Sequence, residues 1–337
     1  MQPMTALEAE TLLDYYETFA RVETGSSAIY SAWAAGVAQD EEVLALLLAL
    51  PRPKRQANLL FAAARHLGAP EGGYAALRSW LLEHWAATRQ LMLARSTQTN
   101  EAGRCATLLP ALAQIPGPLA LIEVGASAGL CLYPDRYSYR YSTTNQRHPG
   151  TIRLDPPHGP SAVVIDCALT NASAPEHLPE VAWRRGIDLN PLDITDPEDQ
   201  AWLRSLVWPE HESRRQRLLT ATAAAAADPP RLVRGDLLEA IEALLARVPA
   251  GTTPVVFHSA VLAYVNAETR NHFASLMQSR TDAVWISNEG AAVLPTVHDQ
   301  LRARGVDAAG RFVLAVDGVA QALTGPHGQS YEGLPAA

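Results

Sequence analysis

The chain has 337 residues, 48% of them hydrophobic, enough for a sizeable core in one large domain or two. Its formal net charge of −8 argues against a broad nucleic-acid footprint, which needs clustered excess Lys and Arg. Three widely spaced cysteines, Cys105, Cys131 and Cys167, read as reduced thiols in a cytoplasmic protein. Residues 1–5 and the acids Glu8 and Glu10 carry no basic leader, so no signal peptide is expected. No uncharged apolar run reaches the roughly 18 residues needed to cross a bilayer, so no membrane partner is expected either.

Residues 5–114 show helical spacing almost throughout. Leu12, Leu13, Tyr16 and Phe19 fall on one face, and Ser26-Ser27 precede an Ala-rich segment through Val37. Asp40 is placed to cap a helix over 41–50, with acids in its first turn and Pro51 and Pro53 at its end. Further helices are predicted near 55–67, 74–95 and 100–113. The reading is an α-helical region over 1–114.

After Pro116-Gly117-Pro118 the pattern changes. Short apolar runs recur at 119–124, 182–188, 231–235, 254–258, 283–287 and 312–317, and helical stretches near 198–225, 237–248, 267–279 and 297–304 separate most of them. That alternation predicts an α/β domain over 115–337, with a mainly parallel sheet and helices on both faces. The alternation lapses after Gly129. There the alternating Tyr137-Ser138-Tyr139-Arg140-Tyr141 and the strand-like 162–166 predict a small β insertion at about 135–180.

The densest signal is Leu119-Ala120-Leu121-Ile122-Glu123-Val124-Gly125-Ala126-Ser127-Ala128-Gly129. An apolar strand ends in an acid and enters a glycine-punctuated turn, where small residues let a ligand approach backbone N–H groups at a helix start. Gly125-Ala126-Ser127-Ala128-Gly129 also matches G-x-S-x-G, a nucleophile elbow with Ser127 as nucleophile. That elbow, however, follows several strands, and here only helices precede it. A nicotinamide dinucleotide site wants G-x-G-x-x-G with an acid about 20 residues later, and neither is present.

Glu-x-Gly-x-x-x-Gly fits the first loop of class I S-adenosylmethionine-dependent methyltransferases better. The chain resembles a bacterial family of uncharacterised proteins carrying that Rossmann-like fold behind a helical N-terminal region. The resemblance is carried by Thr97-Gln98-Thr99-Asn100-Glu101 with Arg104, by 122–132 with Asp135-Arg136-Tyr137, and by Gly186-Ile187-Asp188-Leu189-Asn190-Pro191-Leu192-Asp193. Leu206-Val207-Trp208-Pro209, Gly235-Asp236, Val256-Phe257-His258-Ser259, Asn288-Glu289-Gly290 and His327-Gly328 continue it.

The resemblance implies S-adenosylmethionine as cofactor, with Glu123 near its methionine ammonium and Gly125, Ser127 and Gly129 under its carboxylate. Ser127 replaces the middle glycine of the commoner loop. Asp188 would take the ribose hydroxyls with two acceptor oxygens, although it lies far along the chain from Gly129. Asp236 would face the adenine amino group, or else cap the next helix with Glu239. His258 and Glu289, at the ends of two later apolar runs, are the candidate catalytic pair, the histidine as base and the acid orienting it. Each also has a plain alternative, as a core histidine and a helix-cap acid. Methyl transfer can also run on alignment without a base. Gln98 and Asn100, in an uncharged polar run, are candidate substrate ligands. No metal-ligand spacing appears. The expected function is a methyltransferase acting on a small molecule, with a non-catalytic binding protein on the same fold as its alternative.

Overall fold

The computed structural model describes residues 6–23, 25–98, 100–143 and 150–335. The stretch 1–5 and Thr99 of the polar run lie outside the described residues. Helix follows helix at first: α1 (Ala6–Thr18, running into a π-turn at Phe19–Glu23), α2 (Ala28–Ala38), α3 (Glu41–Leu48), α4 (Ala57–His66), α5 (Tyr74–Ala94) and α6 (Cys105–Leu112). No strand precedes Leu119 among the described residues. Then come β1 (Leu119–Val124), β2 (Ser138–Thr143), β3 (Gly150–Leu154), β4 (Val164–Thr170), β5 (Val181–Asp188), α7 (Pro197–Leu206) and α8 (Glu212–Ala226). The chain closes with β6 (Arg231–Arg234), α9 (Leu237–Leu245), β7 (Thr253–Ser259), α10 (Ala267–Ser279), β8 (Val284–Gly290), α11 (Pro295–Ala303), β9 (Phe312–Val316), β10 (Val319–Thr324) and β11 (Ser330–Gly333).

Two units form. The first comprises Met1–Thr99 with Asp196–Gln216, the second Asn100–Thr195 with Arg217–Ala337. In the first unit Asp40 caps α3 as its position predicts, accepting from the N–H groups of Glu42 and Val43 at 3.1 Å each. The helices bury an aromatic cluster of Tyr16, Phe19, Tyr30, Trp33 and Phe61. Trp208 joins it 5.4 Å from the Tyr30 ring, so Trp208-Pro209 is core of this unit. The single helix expected over 198–225 is two, α7 and α8, because a proline at 209 cannot continue the backbone ladder.

The second unit holds all eleven strands in one sheet, ordered β3-β2-β4-β11-β10-β9-β8-β7-β1-β5-β6. The run β8-β7-β1-β5-β6 is parallel throughout. β1 is buried at every position, as a strand covered on both faces must be. Strands β9, β10 and β11 then run antiparallel, each to its predecessor. The expected β insertion exists as β2–β4, but it is no separate layer: β4 pairs with β11 and extends the main sheet. Ile122, Val124, Ile187, Val256 and Trp285 of the strands pack with Ile241, Phe273, Met277, Val297 and Leu301 of α9, α10 and α11.

From β1 the chain first builds β2–β4 at the far end of the sheet, then adds β5 and β6 on one side of β1 and afterwards β7 and β8 on the other. Within the parallel run the order of addition thus reverses between β1 and β7, the kind of switch point at whose carboxyl ends ligands bind in open α/β sheets.

Candidate functional site at the carboxyl ends of β1, β5 and β7

Glu123, one residue before the end of β1, pairs in register with Gly186 of β5 and Phe257 of β7. It is 7% exposed, and its Oε2 has no hydrogen-bond partner. Burial raises its pKa well above the usual carboxyl value; the Cys131 thiol adds to the rise, and the positive charge of Arg104 opposes it. A buried acid with an unpaired oxygen is expensive for the fold and demands a reason.

Three residues of the following loop, Gly125, Ser127 and Gly129, have left-handed backbone, with φ of 70°, 53° and 74°. Glycine tolerates this and serine does so only under strain, so the loop stores energy at Ser127. Ser127 is 3% exposed, and its Oγ likewise has no partner. In the facing loop after β7, Ala260 is also left-handed, at φ 55°. Strained backbone thus lies on both sides of the switch point.

The expected helix start is not there. The loop runs into a single 3₁₀ turn, Leu130–Leu132, and its amides are mostly spent within the fold. Gly125 and Ala126 donate to Ile187 O at 2.8 and 3.0 Å, Gly129 to Ala126 O, and Leu130 to Asn100 Oδ1 at 3.0 Å. Ser127 donates to Asp188 Oδ2 at 2.8 Å. A backbone cradle for an anion, expected from the sequence, is therefore largely closed.

Asp188 ends β5 and stands beside the loop as expected, but as its clasp: Oδ2 takes the Ser127 N–H and Oδ1 the Asn190 N–H at 2.7 Å. Asn100, expected on substrate, buckles the loop instead; its Nδ2 donates to Ala126 O at 3.1 Å while its Oδ1 holds Leu130. Gln98 belongs to the first unit. Asp236 caps α9, accepting from Leu238 N–H at 2.8 Å.

His258 and Glu289 do meet, but inside the core. His258 is 0% exposed and packs edge-on to Phe273 of α10 and against Trp285. The Trp285 indole N–H can only donate, and it donates to His258 Nε2 at 3.0 Å. The imidazole proton is therefore on Nδ1, given to Glu289 Oε1 at 2.7 Å. Glu289 also accepts from the N–H groups of Val261 and Leu262, at 2.9 and 3.1 Å. Both ring nitrogens are satisfied, so the pair fixes the β7 loop and offers no base to a substrate. The strand-end position was right, and the side chain faces the helical layer.

The sequence reading gave Arg104 no role. It sits just before α6, is 5% exposed, and donates from Nη1 to Ser259 O at 2.8 Å and from Nε to Pro326 O at 2.9 Å. No carboxylate pairs with it among the described residues. Glu101, three residues earlier, pairs with Arg217 at 2.9 Å. The Glu-x-x-Arg spacing after the polar run was the available signal. Among the described residues no group of three or more His, Cys, Asp or Glu is placed to hold a metal ion, and no helix is long and apolar enough to cross a membrane.

No protein of curated description matches the sequence. Residues 14–332 match the family model described as "Uncharacterized protein conserved in bacteria (DUF2332)", and the chain belongs to that family.

Proposed function

We propose that the carboxyl ends of β1, β5 and β7 form a small-molecule site of the S-adenosylmethionine-dependent methyltransferase type. The observation that carries this reading is the pair of buried, unpartnered atoms there, Glu123 Oε2 and Ser127 Oγ, at the topological switch point. The strand order β6-β5-β1-β7-β8 supports it, since the acids Glu123 and Asp188 end adjacent strands of that run. Glu123 suits the ligand's ammonium and Asp188 its ribose diol. Bound S-adenosylmethionine would supply an electrophilic methyl group on sulfonium sulfur.

The chain's own contribution is then to bind and align. With both His258 nitrogens engaged, the site presents no histidine base, and transfer would rest on orientation of the acceptor. The same observation favours the second reading, a binding protein without turnover. Ser127 acting as a hydrolytic nucleophile has less support, because no described side chain hydrogen-bonds its Oγ.

The test is thermal shift with S-adenosylmethionine and its demethylated product, followed by mass spectrometry of small-molecule acceptor pools. Selective binding to the native state should raise the melting temperature, and Asp188→Ala should diminish the rise. Methylated products would choose the enzyme over the binder. No shift with either ligand would remove the reading.

A further inference from the structure

We propose that Arg104 and Glu123 together make a receptor for a free α-amino-acid group, Glu123 taking the ammonium and Arg104 the carboxylate. This rests on the site described above and names the part of a ligand it selects.

The loop that would ordinarily hold a ligand carboxylate is largely closed to one here. The amides of Gly125, Ala126, Ser127, Gly129 and Leu130 are committed to Ile187, Asp188, Ala126 and Asn100, and no α-helix N-terminus follows. An anion at this edge therefore needs a side-chain cation. Arg104 is the buried guanidinium tied to the spot: its Nη1 holds Ser259 O, two residues beyond Phe257, which pairs with Glu123. Its charge acts on the Glu123 carboxyl. The two groups are nonetheless not ion-paired, and the bonds Arg104 makes through Nε and Nη1 go to backbone carbonyls.

A buried cation without a counter-charge and a buried acid with an orphaned oxygen are each costly alone. An α-amino acid carries both complementary charges a few bonds apart and answers both deficits at once. The guanidinium also offers the planar two-point geometry that a carboxylate fits. Ser127 Oγ, buried and unpartnered, supplies a further contact at the same edge.

The experiment is a titration series on the full chain with S-adenosylhomocysteine, its decarboxylated analogue, 5′-methylthioadenosine, and free homocysteine and methionine. Removing the carboxylate should weaken binding roughly 10–100-fold, the loss that a charge-assisted hydrogen bond carries. Arg104→Met should erase the difference between S-adenosylhomocysteine and its decarboxylated analogue. Arg104→Lys, which retains a charge and a donor, should retain part of it if the methionine variant fails to fold.

Equal affinity for the two nucleosides in the unaltered chain would overturn the receptor and leave the cofactor reading standing. Binding of homocysteine or methionine with no binding of any nucleoside would support the receptor and remove the cofactor reading. Silence toward every ligand in the series would overturn both.

Discussion

At Glu123 the cost of burial falls on one carboxyl group, and its sign is testable. Its pKa in the folded state lies above the ordinary 4.5, chiefly through desolvation. Between those two values the native chain keeps a proton that the unfolded chain has lost, so stability falls as pH rises through that window. Glu123→Gln removes the titration. Its melting temperature should gain on the unaltered chain as pH climbs above 4.5 and match its trend below. A constant difference across the range would refute the burial argument. Glu289 is the opposite case, a carboxylate that its surroundings satisfy. Glu289→Ala strands the His258 Nδ1–H and two backbone amides and should cost about 3–5 kcal/mol in urea unfolding. A cost under about 1 kcal/mol would contradict the view of this pair as a structural clamp.

Among elements, the loop after β1 shows how far the sequence was readable. Gly125 and Gly129 announced a turn, and both have left-handed backbone. At Gly125 a Cβ would lie 2.4 Å from Val261 Cγ2, so the residue is held by conformation and by the neighbouring loop. Gly125→Ala should therefore destabilise by about 1–2 kcal/mol for the left-handed backbone, plus the clash. Adding Val261→Ala should recover the clash but not the backbone part, which a double-mutant cycle separates. Additive effects would show that the two loops do not press on each other. What could not be read was the continuation. Small residues at Ala126 and Ala128 suit a helix start, but Asn100 and Asp188 draw the loop backbone to themselves, and Pro134 follows within a few residues. These are contacts between segments far apart in sequence, beyond local periodicity. His258 illustrates the same gap. Its place at a strand end was legible, whereas its side-chain direction depended on α10 and Trp285 packing over it.

Over the whole molecule, the switch from helical spacing to short apolar runs located the first strand at Leu119 and the parallel half of the sheet. β10 and β11 escaped notice because they follow β9 with no helix between them, outside the strand–helix alternation by which most of the other strands were found. Their pairings join β2–β4 to the sheet, a result of chain closure that no single segment encodes. The strand order, by contrast, supports our proposal that ligand chemistry belongs at the carboxyl ends of β1, β5 and β7. The most direct test is calorimetric titration of the unaltered chain and Glu123→Gln with S-adenosylhomocysteine, in buffers of different ionisation enthalpy. An ammonium docking on the buried acid should expel its proton, so the unaltered chain should release protons on binding at pH values between the ordinary and the raised pKa of Glu123. Glu123→Gln should bind more weakly and release none. Identical affinity and proton release in the two proteins would contradict the assignment of this edge as the binding site.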